Sequence, residues 1–156
     1  MNVRRARPDE AEQCWRIRNL AIRDGCRHSY KPAILQAWTP DEMPESYRQV
    51  IRANPFFVVE GPDCRPAATG FLDLSSGSVE AIFTLPDHAG KGLAGKIIEA
   101  IKREARLRGF SRLTLSSTPN ARTFYEKHGF RFVQENVYPS RLARAELRCI
   151  DMAITL

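Results

Sequence analysis

The chain contains no uninterrupted apolar run approaching the ~18 residues that a spanning helix needs. A transmembrane role is therefore not expected. Metal-ligating residues are few: the four cysteines (Cys14, Cys26, Cys64 and Cys149) and three histidines (His28, His88 and His128) are scattered, with no C-x-x-C pair. That spacing supports neither a zinc site nor a disulfide framework, so reduced thiols and no metal are expected. The first residues, MNVRRARPDEAEQ, are basic but lack an apolar h-region, and Asp9, Glu10 and Glu12 oppose a transit-peptide reading. A cytoplasmic location is the expectation. Also missing is a basic face interleaved with aromatics. The net charge is +6, but Lys102, Arg103, Glu104 and Arg106 mix the two signs as a solvated helix face does, and no nucleic-acid partner is expected.

What the chain does have is an ordinary globular composition, with 43% apolar residues in 156. This suits one domain, residues 1–156, with a substantial core. Its most informative stretch runs from Val79 to Ala105. Val79, Ala81, Ile82, Phe83 and Leu85 favour a strand, which Pro86 stops because proline cannot donate to a ladder. From Leu93 the period changes. Leu93, Ile97, Ile98, Ile101 and Ala105 fall on one helical face, with Lys96, Glu99, Lys102, Arg103 and Glu104 mostly on the other. Between strand and helix, Gly90, Gly92, Ala94 and Gly95 place small residues at a helix N-terminus. The N–H groups there have no intrahelical partner and the helix dipole is positive, so the loop suits a phosphate or pyrophosphate.

A tight glycine turn with no ligand is the plain alternative. A nucleotide P-loop is another, because Gly90 to Lys96 fits G-x-x-x-x-G-K. The position that should ligate magnesium is Ile97, however, and no later strand ends in a suitable aspartate.

The stretch IFTLPDHAGKGLAGKII resembles the acetyl-CoA-binding motif of the GNAT N-acetyltransferases, Q/R-x-x-G-x-G/A after a strand that ends in an apolar residue and proline. It falls on Ala89, Gly90, Lys91, Gly92, Leu93 and Ala94, with Ala89 where the family usually has Gln or Arg. Downstream, NARTFYEKHGFRFV (Asn120 to Val133) resembles the family's second motif, a short helix with Phe-Tyr that ends in Gly-Phe. The resemblance implies an α/β (α+β) GNAT fold: a mixed, mostly antiparallel sheet of six or seven strands with helices on both faces. It also implies an acetyl-CoA-dependent N-acetyltransferase acting on a small-molecule or peptide amine, as monomer or homodimer. An acyl-CoA sensor without turnover is the alternative that Ala89 keeps open.

The rest of the chain is read around that unit. Residues 2–5 form an edge strand, and Pro8-Asp9 opens a helix that carries Ala11, Cys14, Trp15, Ile17 and Ala21 inward and stops at Gly25. Residues 26–54 hold two short helices punctuated by prolines, and in the family this region walls the acceptor site, with Tyr30 and Trp38 as candidates. Strands are expected over 56–60, 67–74, 112–116, 131–137 and 148–156, with a polar loop over 138–146. Asn120 is placed to cap the helix from Ala121 to His128, and Gly129 to end it.

Family likeness implies a cofactor set of Phe83, Leu85, Ala89, Gly90, Lys91, Gly92, Leu93, Ala94, Gly95, Lys96, Asn120 and Tyr125, with Thr118 competing with Asn120. Main-chain N–H groups near Leu85 would receive the oxyanion. Tyr125 is the candidate proton donor to the thiolate, or else an apolar wall. Glu80 is the candidate base, because alternation puts Glu80, Ile82 and Thr84 on one strand face. Asp73, His88, Glu60 and ordered water compete for that role.

Overall fold

The structure, a computed structural model, describes residues 2–156. Seven strands form one sheet: β1 (Val3–Arg5), β2 (Phe56–Glu60), β3 (Pro66–Asp73), β4 (Ser78–Thr84), β5 (Arg112–Ser117), β6 (Arg131–Ser140) and β7 (Ala145–Thr155). Their order across the sheet is β1-β2-β3-β4-β5-β7-β6, and β4 with β5 is the parallel pair. The five helices are α1 (Ala11–Gly25), α2 (Pro32–Trp38), α3 (Ser46–Ala53), α4 (Leu93–Leu107) and α5 (Arg122–Lys127).

Alternation along β2 explains how helices come to cover both faces. Phe56 and Val58 meet Ala11 and Cys14 of α1 and Ile51 of α3, whereas Phe57 and Val59 join Ile97, Ile98 and Ile101 of α4. A strand buried on both sides needs apolar residues throughout, and FFVV supplies them. Helix α4 lies close to β3 because Gly70 has no side chain. A Cβ there would come within 2.4 Å of both Ile82 Cδ1 and Ile97 Cγ2.

Both functional helices end as expected at left-handed glycines. Gly109 has φ +85° and Gly129 φ +91°. Phe110 N–H donates to the Ala105 carbonyl and Phe130 N–H to the Tyr125 carbonyl, the long bond of a Schellman ending. The start of α5 is different from the expectation. Ala121 is its N-cap and no side chain caps it, while the Asn120 Oδ1 accepts from Cys26 Sγ and Ser29 Oγ, both at 3.4 Å. Asn120 thus ties α5's approach to the end of α1. Lys102, expected on the solvated face of α4, is buried. Its stem crosses apolar surface and its Nζ donates to the His128 carbonyl at 2.6 Å, joining α4 to the end of α5.

The expected loop over 138–146 is mostly strand. Pairing in the β6–β7 hairpin continues to Ser140↔Ala145. Pro139 is tolerated because β6 is the edge of the sheet, where a missing donor costs no ladder bond.

Candidate active site

The site begins where the sheet opens. Among the described residues Ser78↔Thr114 is the only pairing between β4 and β5, whereas the other edge of β5 pairs with β7 along its whole length, from Arg112↔Thr155 to Ser117↔Ile150. Strand β4 is meanwhile bent by a bulge. Phe71 pairs with Glu80 and Thr69 with Phe83, so β4 carries one residue more than β3 over this span. Ala81 takes the extra position at φ +56°, and its carbonyl accepts the Thr69 hydroxyl at 3.0 Å. A bulge bends its strand and increases the local twist. β4 and β5 therefore diverge, leaving one edge of β4 without a strand partner beyond Ser78.

The bulge also changes which side chains share a face. Simple alternation would group Glu80, Ile82 and Thr84. In the structure Glu80 is opposite Phe71 on the α1 face, Phe83 packs with Ile22, Cys26 and Leu35 on that same face, and Ile82 turns to Ile97 and the α4 side. The extra residue inverts the alternation after Glu80. Glu80 still reaches the opening, but Ile82 does not accompany it on that face.

A cavity of about 540 Å³ fills the gap. Its walls include Val79 to Thr84 of β4, Ser116 and Thr118 after the divergence, Tyr125 of α5, Arg18 and Ile22 of α1, and Tyr30 and Trp38 from the α1–α2 region. Both expected acceptor-wall aromatics are therefore present. Their rings meet edge to face at 5.7 Å, and the Tyr30 hydroxyl donates to the Arg148 carbonyl at 2.5 Å.

Glu80 opens to the cavity and accepts from Ser78 Oγ at 2.8 Å. Surrounding protein raises its pKa above 4.5, chiefly by desolvation, with the Asp73 charge adding to the rise and the Ser78 bond opposing it. Its competitors are bonded or lie outside the cavity lining. Asp73 also lines the cavity, but its Oδ1 accepts the Ser75 N–H at 2.9 Å and the Ser75 hydroxyl at 2.7 Å, which hold its pKa below the ordinary value. Glu60 pairs with Arg4 at 2.6 Å, and His88 turns its ring toward Gly61.

Tyr125 is 8% exposed, with its ring against Phe124 and Phe130. Burial pushes its pKa well up, and the charge of Glu80 contributes in the same direction. The hydroxyl is accordingly a firmly held acid at neutral pH. One carboxylate and one phenol, each raised, share the cavity.

Beyond Thr84 the chain turns through Pro86–His88 and presents Ala89 to Gly92 to solvent at the start of α4. Gly90 and Gly92 both have φ +78°, and a Cβ at either would meet nothing within 4 Å. The loop is thus an open cradle beside the unpaired N–H groups of Leu93, Ala94 and Gly95 in the first turn of α4. That geometry fits the pyrophosphate of an acetyl-CoA molecule. Lys91 and Lys96 are exposed nearby, and Ala89 offers no polar side chain.

Two expected positions have further contacts. Gly95, besides its N–H at the cradle, allows α4 to pack closely on α5, since His128 Cε1 would be 3.0 Å from a Cβ. The Leu85 N–H donates to the Ala67 carbonyl at 2.8 Å and is not a free oxyanion donor.

The residue that the sequence reading missed is Arg18. Cys14, Arg18 and Ile22 follow one another at four-residue spacing on the buried side of α1, so a cation within an apolar stripe was the available signal. Tyr138, Leu147 and Cys149 also line the cavity, but only the register of the β6–β7 hairpin brings them there.

A mixed sheet split at its parallel pair, with an amide-lined glycine cradle at the next helix, is the architecture of the GNAT acetyltransferases. Residues 26–156 match the acetyltransferase (GNAT) domain, and the chain belongs to that family. An uncharacterised acetyltransferase of Streptococcus pyogenes is 32% identical over 93 residues, 54% of this chain and 63% of the relative. The match thus spans less than two thirds of that relative's length. A GCN5-related N-acetyltransferase from Rhodopseudomonas palustris has the same fold, with a TM-score of 0.89 at 20% identity over 99% of this chain and 94% of that one. YncA of Salmonella typhimurium, solved with its cofactor acetyl-CoA, superposes with a TM-score of 0.71 at 18% identity, covering 100% of this chain and 94% of its own.

Proposed function

We propose that this protein is an acetyl-CoA-dependent N-acetyltransferase that acetylates a primary amine by direct attack in a ternary complex. Residues 1–156 then act as one catalytic domain, working in the cytoplasm on a small-molecule or peptide amine. The observation that carries the reading is the meeting of Glu80 and Tyr125 in one cavity, at the split between β4 and β5.

Acetyl-CoA supplies an activated acetyl group as a thioester. Leu93, Ala94 and Gly95 hold its pyrophosphate with their N–H groups, while Gly90 and Gly92 let the main chain approach. The unpaired edge of β4 lies where the amide-bearing arm can add as a strand would. Successive strand N–H groups point to opposite sides, so Leu85, bonded to Ala67, leaves the Thr84 N–H directed toward the cleft. There it stabilises negative charge growing on the thioester oxygen.

Glu80 takes the proton that the attacking amine must lose, directly or through water, and its raised pKa makes it a stronger base than an ordinary carboxylate. Tyr125 gives its phenolic proton to the departing sulfur. The proton on Glu80 and the vacancy on Tyr125 balance through solvent before the next turnover.

Tyr125→Phe is the test. Phenylalanine keeps the ring against Phe124 and Phe130, so acetyl-CoA affinity should persist. Single-turnover acetyl transfer should fall by about 100-fold or more, the scale of losing a positioned general acid. An unchanged single-turnover rate would make solvent the proton source. Acetyl-CoA binding with no transfer to any amine, by the unaltered protein, would favour the sensor reading that Ala89 suggests.

A further inference from the structure

We propose that Arg18 selects the acceptor, and that the amine acetylated here carries a carboxylate, as an amino acid does. The inference rests on the acetyltransferase reading of the same cavity.

Arg18 is 9% exposed and lines the cavity from α1. Its Nη1 donates to Asn19 Oδ1 at 2.8 Å and to the Trp38 carbonyl at 3.0 Å. Among the described residues its Nε and Nη2 have no hydrogen-bond acceptor and no carboxylate forms a salt bridge with it, although these atoms are not sealed from solvent. The guanidinium carbon lies 4.3 Å from the Trp15 ring and 5.8 Å from that of Trp38. Those rings fix the plane of the fork while leaving donors uncommitted.

Burying a cation without a carboxylate is costly, and burial does lower the Arg18 pKa, to about 10. No Asp or Glu is among the groups that act on it. It is nonetheless protonated at neutral pH. Natural cores avoid such a group unless something compensates it, and here the unused donors adjoin the space where an acceptor would sit.

Charge count narrows the anion. Arg18 is the only Lys, Arg or His among the described residues that line the cavity. One guanidinium with two free donor positions matches a monoanionic, planar carboxylate in charge and shape, whereas a phosphate dianion would remain undercompensated. The complementary charge lines the same cavity: Asp73 and Glu80 stand on its sheet side and Arg18 on α1, so an amino acid would direct its amine to Glu80 and its carboxylate to Arg18.

Matched acceptors test this in the 156-residue chain: amino acids of increasing amine–carboxylate separation, each against its primary amide and its aminophosphonate analogue. For at least one pair the carboxylate should be preferred about 10-fold or more in kcat/KM, the scale of a charge-assisted bond. Arg18→Met should abolish that preference, and Arg18→Lys should restore part of it. The unaltered protein alone suffices if either variant fails to fold. N-acetyl amino acids added with coenzyme A should then raise Tm more than their amides do. Equal use of carboxylates and amides, a preference for the phosphonates, or equal Tm shifts would overturn the inference and leave acetyl transfer standing. Failure to bind acetyl-CoA would instead remove the acetyltransferase reading beneath it.

Discussion

Glu80 joins activity to stability through one carboxyl group. Its pKa in the folded protein lies above the ordinary 4.5, because the surrounding protein and Asp73 disfavour its charge, while the side chain itself is exposed toward the cavity. The fold therefore favours the protonated form, and carrying the charge above that raised value costs only a small, solvent-screened amount of stability. A base, by contrast, must be charged. The rate should fall as pH drops through a pKa above 4.5, and Glu80→Gln should flatten that acid limb. The same variant should lower kcat by about 100-fold and slightly raise Tm at pH 7–8, since glutamine keeps the Ser78 bond without the charge. A pH–rate profile and a melting curve check both, and a lower Tm would show that the charge is stabilising. At this scale the sequence left four side chains and ordered water as candidates for the base. The proposal of Glu80 rests on the turn that engages Asp73, the β1 arginine that pairs with Glu60, and the position of His88 beside Gly61.

Among the elements, β4 does the most to shape the site. Its bulge depends on a neighbour that cannot be read from β4 itself: Thr69, on β3, bonds the Ala81 carbonyl, and Gly70 beside it admits Ile82 and Ile97. An alanine at φ +56° sits where an L residue is strained by roughly 1 kcal/mol. Ala81→Gly should therefore be neutral or stabilising by up to about 1 kcal/mol, provided the bulge persists. Gly70→Ala should cost about 1–3 kcal/mol, because its Cβ meets two packed isoleucines at 2.4 Å. Chemical denaturation measures both, and a Gly70→Ala protein of undiminished stability would mean that α4 can shift without loss. Helix α4 was the most legible element, since its apolar positions repeat over four turns and its ends carry glycine. The β6–β7 hairpin was less so. Pro139 reads as a break unless the strand is known to be an edge, and edge position is a property of the whole sheet.

For the whole molecule, the consequence is a stability linked to a polyanionic ligand. Acetyl-CoA at about 100 times Kd should raise Tm by about 5–10 °C, from the mass-action term and the entropy of a chain this size. ATP with magnesium should do much less, since Ile97 stands where a metal-binding hydroxyl is needed. Gly92→Glu should cost about 1 kcal/mol of stability at φ +78° and weaken acetyl-CoA binding on the order of 100-fold through like-charge repulsion. Wild-type affinity in that variant would reduce the loop to a turn. The sequence by itself determined the strand–loop–helix unit, both glycine helix ends and the seven strands in outline, because each depends on periodicity or on a backbone angle that few residues accept. Tertiary structure alone decided the inverted face after Glu80, the tie from Asn120 to α1, the burial of Lys102 and the presence of Arg18 in the cavity. Those depend on what lies opposite each residue across the sheet or the helix interface, and pairing between distant segments leaves no period in the chain.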